Sequence, residues 1–187
     1  MAEVEDKRIR RTKRLLRQAL AELMQEKEFK DITVTDLVER ADINRGTFYV
    51  HYRDVYDLRE KIENEMIEDF RAMVEDSLPS FDRPALRPML KRAVDFVDEN
   101  STLVRSLLRA SGAVSFEAKM MVIVEESRMM ILQGKAKQYD RYVARFIAGG
   151  AVCMIEKWLA DPNPLPKAVL VDMMDELLGK TVERMEL

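Results

Sequence analysis

A helical hydrophobic period runs through almost all of this 187-residue chain and limits its fold more than any other feature. Apolar residues recur three and four positions apart, and no stretch sustains the two-residue alternation of a half-buried strand. Only six glycines and six prolines interrupt the pattern. Apolar residues at 47% and charged residues at 35% provide for a folded core under a heavily charged surface. An all-α fold of about nine helices is expected.

Cap chemistry divides the chain. Residues 6–27 form a first helix with Leu16, Ala19, Leu20, Leu23 and Met24 on one face. Thr33 followed by Asp36 is a capping-box signature for a short second helix that buries Leu37, Val38 and Ala41. Asn44 caps a third short helix, and Asp54 with Asp57 opens a fourth that runs to about Leu78. Its apolar stripe is Leu58, Ile62, Met66, Phe70, Met73 and Val74. Pro79, Pro84 and Pro88 mark a boundary, after which helices are expected at about 85–99, 101–110 and 113–136, with Asn100 and Ser101 capping the second and Ser111-Gly112 separating it from the third. "YDRYVARFIAGGAVCMIEKWL", the rigid turn "ADPNPLP" and a last helix over about 166–184 complete the chain.

The charge is uneven. Residues 7–17 carry seven basic side chains and no acidic one, whereas residues 61–187 carry 18 basic and 21 acidic residues. That asymmetry points to a polyanion contact confined to one end. The single cysteine, Cys153, excludes an internal disulfide and sits in an apolar stretch, where burial as a small hydrophobe is expected. No apolar run approaches the ~20 residues of a membrane span and no signal peptide is visible, so a cytoplasmic protein without a membrane partner is expected. His51 is the only histidine, and neither a catalytic triad, a phosphate loop nor a metal cluster is apparent. Neither an enzyme nor a cofactor is expected.

The stretch "ADINRGTFYVHYRD" carries the functional signal. At about 100° per residue, Phe48 and Tyr52 fall on one helical face and Arg45, Gly46, Tyr49 and Arg53 on others. The first pair can anchor to a core while the rest point outward. A capped helix, a three-residue turn and a second short helix make a helix-turn-helix, whose second helix fits the major groove of double-stranded DNA. Arg45 at its start can make two hydrogen bonds to a guanine edge. Gly46 removes a side chain at the point of closest approach, and Thr47 can meet a thymine methyl or a phosphate. Tyr49, His51, Thr33 and Thr35 suit phosphate oxygens, the two threonines helped by the positive end of the second helix.

"TVTDLVERADINRGTFYVHYRD" resembles the DNA-binding motif of the TetR family of bacterial transcriptional regulators, over about residues 8–60. The resemblance implies a three-helix DNA-binding domain at 1–53 and a larger helical effector-binding and dimerisation domain at 54–187. It also implies DNA contacts from Thr33, Thr35, Arg45, Gly46, Thr47, Tyr49 and His51. Asp42 stands where the family often has Gly in the turn, and Val55 where it often has a phosphate-binding Lys; Arg53, two positions earlier, is expected to replace that DNA contact. The implied function is a ligand-responsive repressor that binds a palindromic operator as a homodimer. A TetR-like ligand-sensing or protein-interaction module that no longer reads DNA is the alternative.

The middle helices are rich in methionine, whose adaptable side chain suits a cavity for an apolar or amphipathic small-molecule effector. Its expected lining is Phe70, Met73, Phe96, Leu107, Phe116, Met120, Met121 and Phe146. Gly149 and Gly150 each weaken their helix by about 1 kcal/mol relative to Ala, a cost that close approach of a partner helix would offset. With Phe146, Met154, Trp158, Met173, Met174 and Leu177 they form the expected dimer interface.

Overall fold

The computed structural model describes residues 7–77, 86–109, 116–132 and 137–185. Among them lie nine α-helices and no strand: α1 (Lys7–Glu26), α2 (Val34–Ala41), α3 (Arg45–His51), α4 (Val55–Glu75), α5 (Leu86–Glu99), α6 (Ser101–Arg109), α7 (Phe116–Ile131), α8 (Asp140–Ala160) and α9 (Lys167–Met185). A 3₁₀ turn, Phe29–Asp31, joins α1 to α2. Pro79, Pro84, Ser111 and Gly112, which mark expected boundaries, lie outside the described residues, as do 113–115 and 133–136 of the expected 113–136 helix. Pro88 falls inside the first turn of α5, where a missing N–H removes no helical hydrogen bond.

The chain divides into two compact units, Met1–Glu65 and Met66–Leu187. They part within α4 rather than at the expected 53/54 boundary. The first turns of α4 belong to the smaller unit: Val55, Leu58 and Ile62 are buried, Tyr56 meets the Phe29 ring edge-on at 5.1 Å, and Arg59 lies over that ring. Leu16, Leu20, Leu37, Phe48 and Leu58 are fully buried and form the core of this unit. Arg40 of α2 reaches Glu22 and Glu26 of α1 at 3.3 and 2.8 Å, which fixes how those two helices cross.

In the larger unit α7 packs on α8, and α5 on α9. Leu90, Val94, Val143, Ile147, Leu170 and Met174 belong to one buried cluster, against which Met154 and Trp158 lean from α8. The turn after α8 is held by side chains. Trp158 Nε1 donates to the Leu165 carbonyl at 2.7 Å, and Asn163 N donates to Asp161 Oδ1. Cys153 is exposed, contrary to the expected burial. It shares a helical stripe with Phe146 and Gly149, on the face of α8 that this chain leaves open. No helix among the described residues is long and apolar enough to cross a membrane.

Candidate nucleic-acid interface and the cavity of the larger unit

Local cap chemistry builds the helix-turn-helix. Thr33 Oγ1 accepts from Asp36 N at 3.2 Å, while Thr33 N and Oγ1 both donate to Asp36 Oδ2 at 2.7 Å. Lys27 Nζ adds an ion pair at 2.7 Å. That ammonium and the Thr33 donors hold the Asp36 carboxyl down at about 2. The Thr33 hydroxyl is therefore committed to its helix cap as donor and as acceptor. Asp42 closes α2 in the left-handed region at φ 50°, the one positive φ outside glycine among the described residues. Its N–H and that of Ile43 turn back onto the Glu39 and Val38 carbonyls. Aspartate tolerates this conformation better than most side chains, so the turn forms without the glycine.

Asn44 Oδ1 accepts from Gly46 N at 2.7 Å and starts α3. A Cβ on residue 46 would come 3.2 Å from that same oxygen. Gly46 thus serves the cap as well as the exposed surface, a local reason that the sequence did not disclose.

Phe48 and Tyr52 are buried at 0% and 4% exposure, with rings 5.7 Å apart, and anchor α3 to the core as the helical phase predicts. Tyr49 is half exposed and stands edge-on to Phe48. Arg45 is exposed at the start of α3. Its Nη1 donates to Thr35 Oγ1 and its Nη2 to Tyr49 Oη, both at 3.3 Å. These are long, solvent-facing bonds, so they orient the guanidinium without satisfying it and leave it able to exchange onto a base edge. Thr35, Arg45 and Tyr49 therefore form one exposed cluster, whereas Thr47 and His51 are half-buried beside it.

A second cluster supports the end of α3. Val55 is buried in the core of its unit and offers no charge. Arg53 has an exposed side chain whose Nη2 meets Asp57 Oδ1 at 3.1 Å. Asp57 also accepts from Arg53 N and from Lys61 Nζ, each at 3.0 Å, while its own N donates to Asp54 Oδ1. The Arg53 backbone N–H, followed by the Lys61 ammonium, keeps the Asp57 carboxyl at about 2. Lys61 donates as well to the His51 carbonyl at 3.0 Å, satisfying the C-terminal end of α3. Sequence reasoning missed Lys61; its four-residue spacing from Asp57 was the available signal. Of the basic run, Lys7, Arg10, Arg11 and Arg14 are exposed at helical spacing, opposite the buried Leu16, Leu20 and Leu23 face of α1.

The larger unit encloses a cavity of about 480 Å³. Of the eight side chains expected around an effector, Phe70, Phe96, Phe116 and Met120 line this cavity. The other four expected lining residues do not. Met73 and Met121 are half-buried away from the wall, Leu107 is consumed by the core, and Phe146 is 66% exposed on α8. The wall also carries Glu117, Ser127, Arg128 and Glu156. Arg128 Nε is buried with no hydrogen-bond partner among the described residues. Burial, followed by the nearby Glu117 carboxylate, pushes the Glu156 carboxyl above its ordinary value.

The open faces of α8 and α9 expose Tyr142, Phe146, Val169, Met173 and Leu177. Of the residues expected at a dimer interface, Met174 is fully buried inside its own chain, and Met154 and Trp158 pack against the same core. The α9 period cannot separate adjacent Met173 and Met174, but packing assigns them to opposite environments. A Cβ on Gly149 would meet nothing within 4 Å, whereas one on Gly150 would touch Leu178 of the same chain at 3.8 Å.

The pattern for "Bacterial regulatory proteins, tetR family" matches residues 16–62, and that for "Transcriptional regulator C-terminal region" matches residues 85–180. A curated relative, the uncharacterized HTH-type transcriptional regulator YxbF of Bacillus subtilis (strain 168), is 25% identical over 186 residues. That match takes in 95% of this chain and 48% of the relative, so the chain spans about half the relative's length. Among solved structures, the fatty acid degradation regulator FadR from Bacillus halodurans superimposes with a TM-score of 0.73 at 15% identity, covering 90% of this chain and 94% of that one. FadR from Bacillus subtilis in complex with stearoyl-CoA gives 0.72 at 16% identity, covering 90% and 98%. At such identities the likeness concerns the fold.

Proposed function

Because this chain belongs to the TetR family of bacterial transcriptional regulators, we propose that it is a homodimeric repressor that reads a palindromic operator through α3 and responds to a small effector in the cavity of the larger unit. DNA binding and transcription regulation come with the family; the remainder is our reading of this chain. The observation that carries it is Arg45, exposed at the start of α3 and oriented by Thr35 and Tyr49. A guanidinium so placed has two N–H groups to offer a guanine O6 and N7, worth about 1–3 kcal/mol of discrimination. The exposed row Lys7, Arg10, Arg11 and Arg14 supplies sequence-independent attraction to phosphates. Thr35, Tyr49 and His51 are the phosphate partners that set register, and Arg53 adds a charge where Val55 has none.

Dimerisation is supported by the exposed apolar face of α8 and α9 and by the open space at Gly149, which a partner helix can approach closely. Two-fold symmetry would then present two copies of α3 to the two half-sites of a palindrome. The cavity has the size and aromatic lining of a small-molecule site. A ligand that binds one spacing of the two recognition helices better than another shifts the population and releases DNA. These features favour an intracellular, cytoplasmic setting.

Fluorescence anisotropy on a labelled operator library at several salt concentrations tests the reading. Affinity is expected to fall steeply with salt, and Arg45→Ala is expected to relax preference at one base position in each half-site. Equal affinity for random and palindromic DNA at moderate salt would instead favour a module that has lost DNA reading.

A further inference from the structure

The effector reading leaves the ligand's chemistry open, and the charges on the cavity wall narrow it. Among the described residues, six ionisable side chains line the cavity: Glu117, Arg128, Glu156, Asp175, Glu176 and Lys180. Lys180 Nζ is paired with Glu176 at 2.6 Å. Arg128 Nη2 lies 3.6 Å from Asp140 Oδ1, which balances its charge, and its buried Nε–H has no partner among the described residues. Glu117, Glu156 and Asp175 have no basic partner among the described residues. Glu117 and Glu156 are half-buried, on the first turn of α7 and toward the end of α8. Burial, followed by the nearby Glu117 carboxylate, disfavours the charge on Glu156. A fatty acid or other anion placed here would add a third negative charge to that pair.

The aromatic side of the cavity agrees with this charge count. Phe70 and Phe96 stand 5.8 Å apart with their planes tilted by 54°, and Phe116 lies in the same wall. Ring faces attract cations through their quadrupoles, most strongly where water is excluded. Resting on the reading of this cavity as the effector site, we propose that its ligand is an organic cation, with Glu117 and Glu156 flanking the charge and Phe70, Phe96 and Phe116 holding the apolar body. The Arg128 Nε–H donates to a neutral oxygen on such a ligand without opposing its charge.

Tetraphenylphosphonium and tetraphenylborate have nearly the same shape and opposite charge, so calorimetric titration of the full chain with each separates charge from apolar fit. The phosphonium is expected to bind at least about tenfold tighter than the borate. The Glu117→Gln/Glu156→Gln double variant is expected to lose roughly tenfold in phosphonium affinity, with borate binding unchanged or improved. Removing like charges that repel leaves the fold intact, so a raised melting temperature accompanies that result. Ala93→Trp fills the cavity and is expected to abolish binding of both ions; Ala151→Phe does the same from another wall. Borate binding as tight as phosphonium binding, or an unchanged preference in the double variant, overturns the cation inference while the filling variants still block binding and the effector site stands. Binding that survives both filling variants, or no binding of either ion, overturns the effector site as well.

Discussion

Phe48→Ala is expected to abolish DNA binding without altering any side chain offered to DNA. The helix it anchors, Arg45–His51, has seven residues, too few to persist in water without tertiary support. Phe48 is fully buried and meets Tyr49 at 5.5 Å and Tyr52 at 5.7 Å. Truncation to Ala at such a site costs about 3–5 kcal/mol, through lost burial and the cavity left behind. The unit that must absorb this loss spans only Met1–Glu65. At about 0.05–0.15 kcal/mol per residue its stability is roughly 3–10 kcal/mol, so the substitution removes a third of it or more. Hydrogen exchange followed by mass spectrometry on the full chain reads the effect by segment. Protection is expected to collapse across α2, α3 and the first turns of α4 while α5, α8 and α9 keep theirs, because those helices have their own core. Tyr49→Ala is the control, lowering operator affinity with exchange nearly unchanged. Wild-type protection across α3 in Phe48→Ala, together with a stability loss under about 1 kcal/mol, would refute the anchoring argument.

Acid should reach the same unit through its caps. Asp36 and Asp57 are held at about 2 against an ordinary 3.8, so their stabilisation is fully present above 3.8 and is lost as pH falls through about 2. Thermal melts between pH 5 and pH 2 are expected to flatten in Asp57→Asn relative to the parent, and an equal slope would remove Asp57 from this role. On the proposed dimer face, Leu177→Asp buries a charge against the partner helix and is expected to weaken association roughly 100-fold or more. Analytical ultracentrifugation would then show monomer where the parent shows dimer, and an unchanged dimer would place the interface elsewhere.

The smaller unit was legible from sequence because its signals are local. A cap and its third residue, or two rings four positions apart, meet within one turn whatever the rest of the chain does. Thr33 with Asp36, Asn44 at the start of α3, the left-handed Asp42 and the inward pair Phe48 and Tyr52 all follow from such short-range geometry. Gly46 was the exception: its conflict with Asn44 Oδ1 depends on where that oxygen sits once the cap has formed.

What the sequence by itself determined was the helical content, the helix starts and which side chains of α3 turn inward and which outward. Only tertiary structure decided which apolar side chains face a core, a cavity or a partner. In α8 nearly every side is apolar, so periodicity cannot distinguish Ile147, turned into the core, from Phe146 and Cys153, turned out. Met173 and Met174 pose the same problem in α9. The Arg45–Thr35 hydrogen bond, the ion pair that balances Arg128 and the presence of Glu117 and Glu156 on one cavity wall all join residues ten or more positions apart. A helical phase assigns a side chain to a face; the neighbouring helix decides what that face meets, and that choice is made by packing across the whole unit.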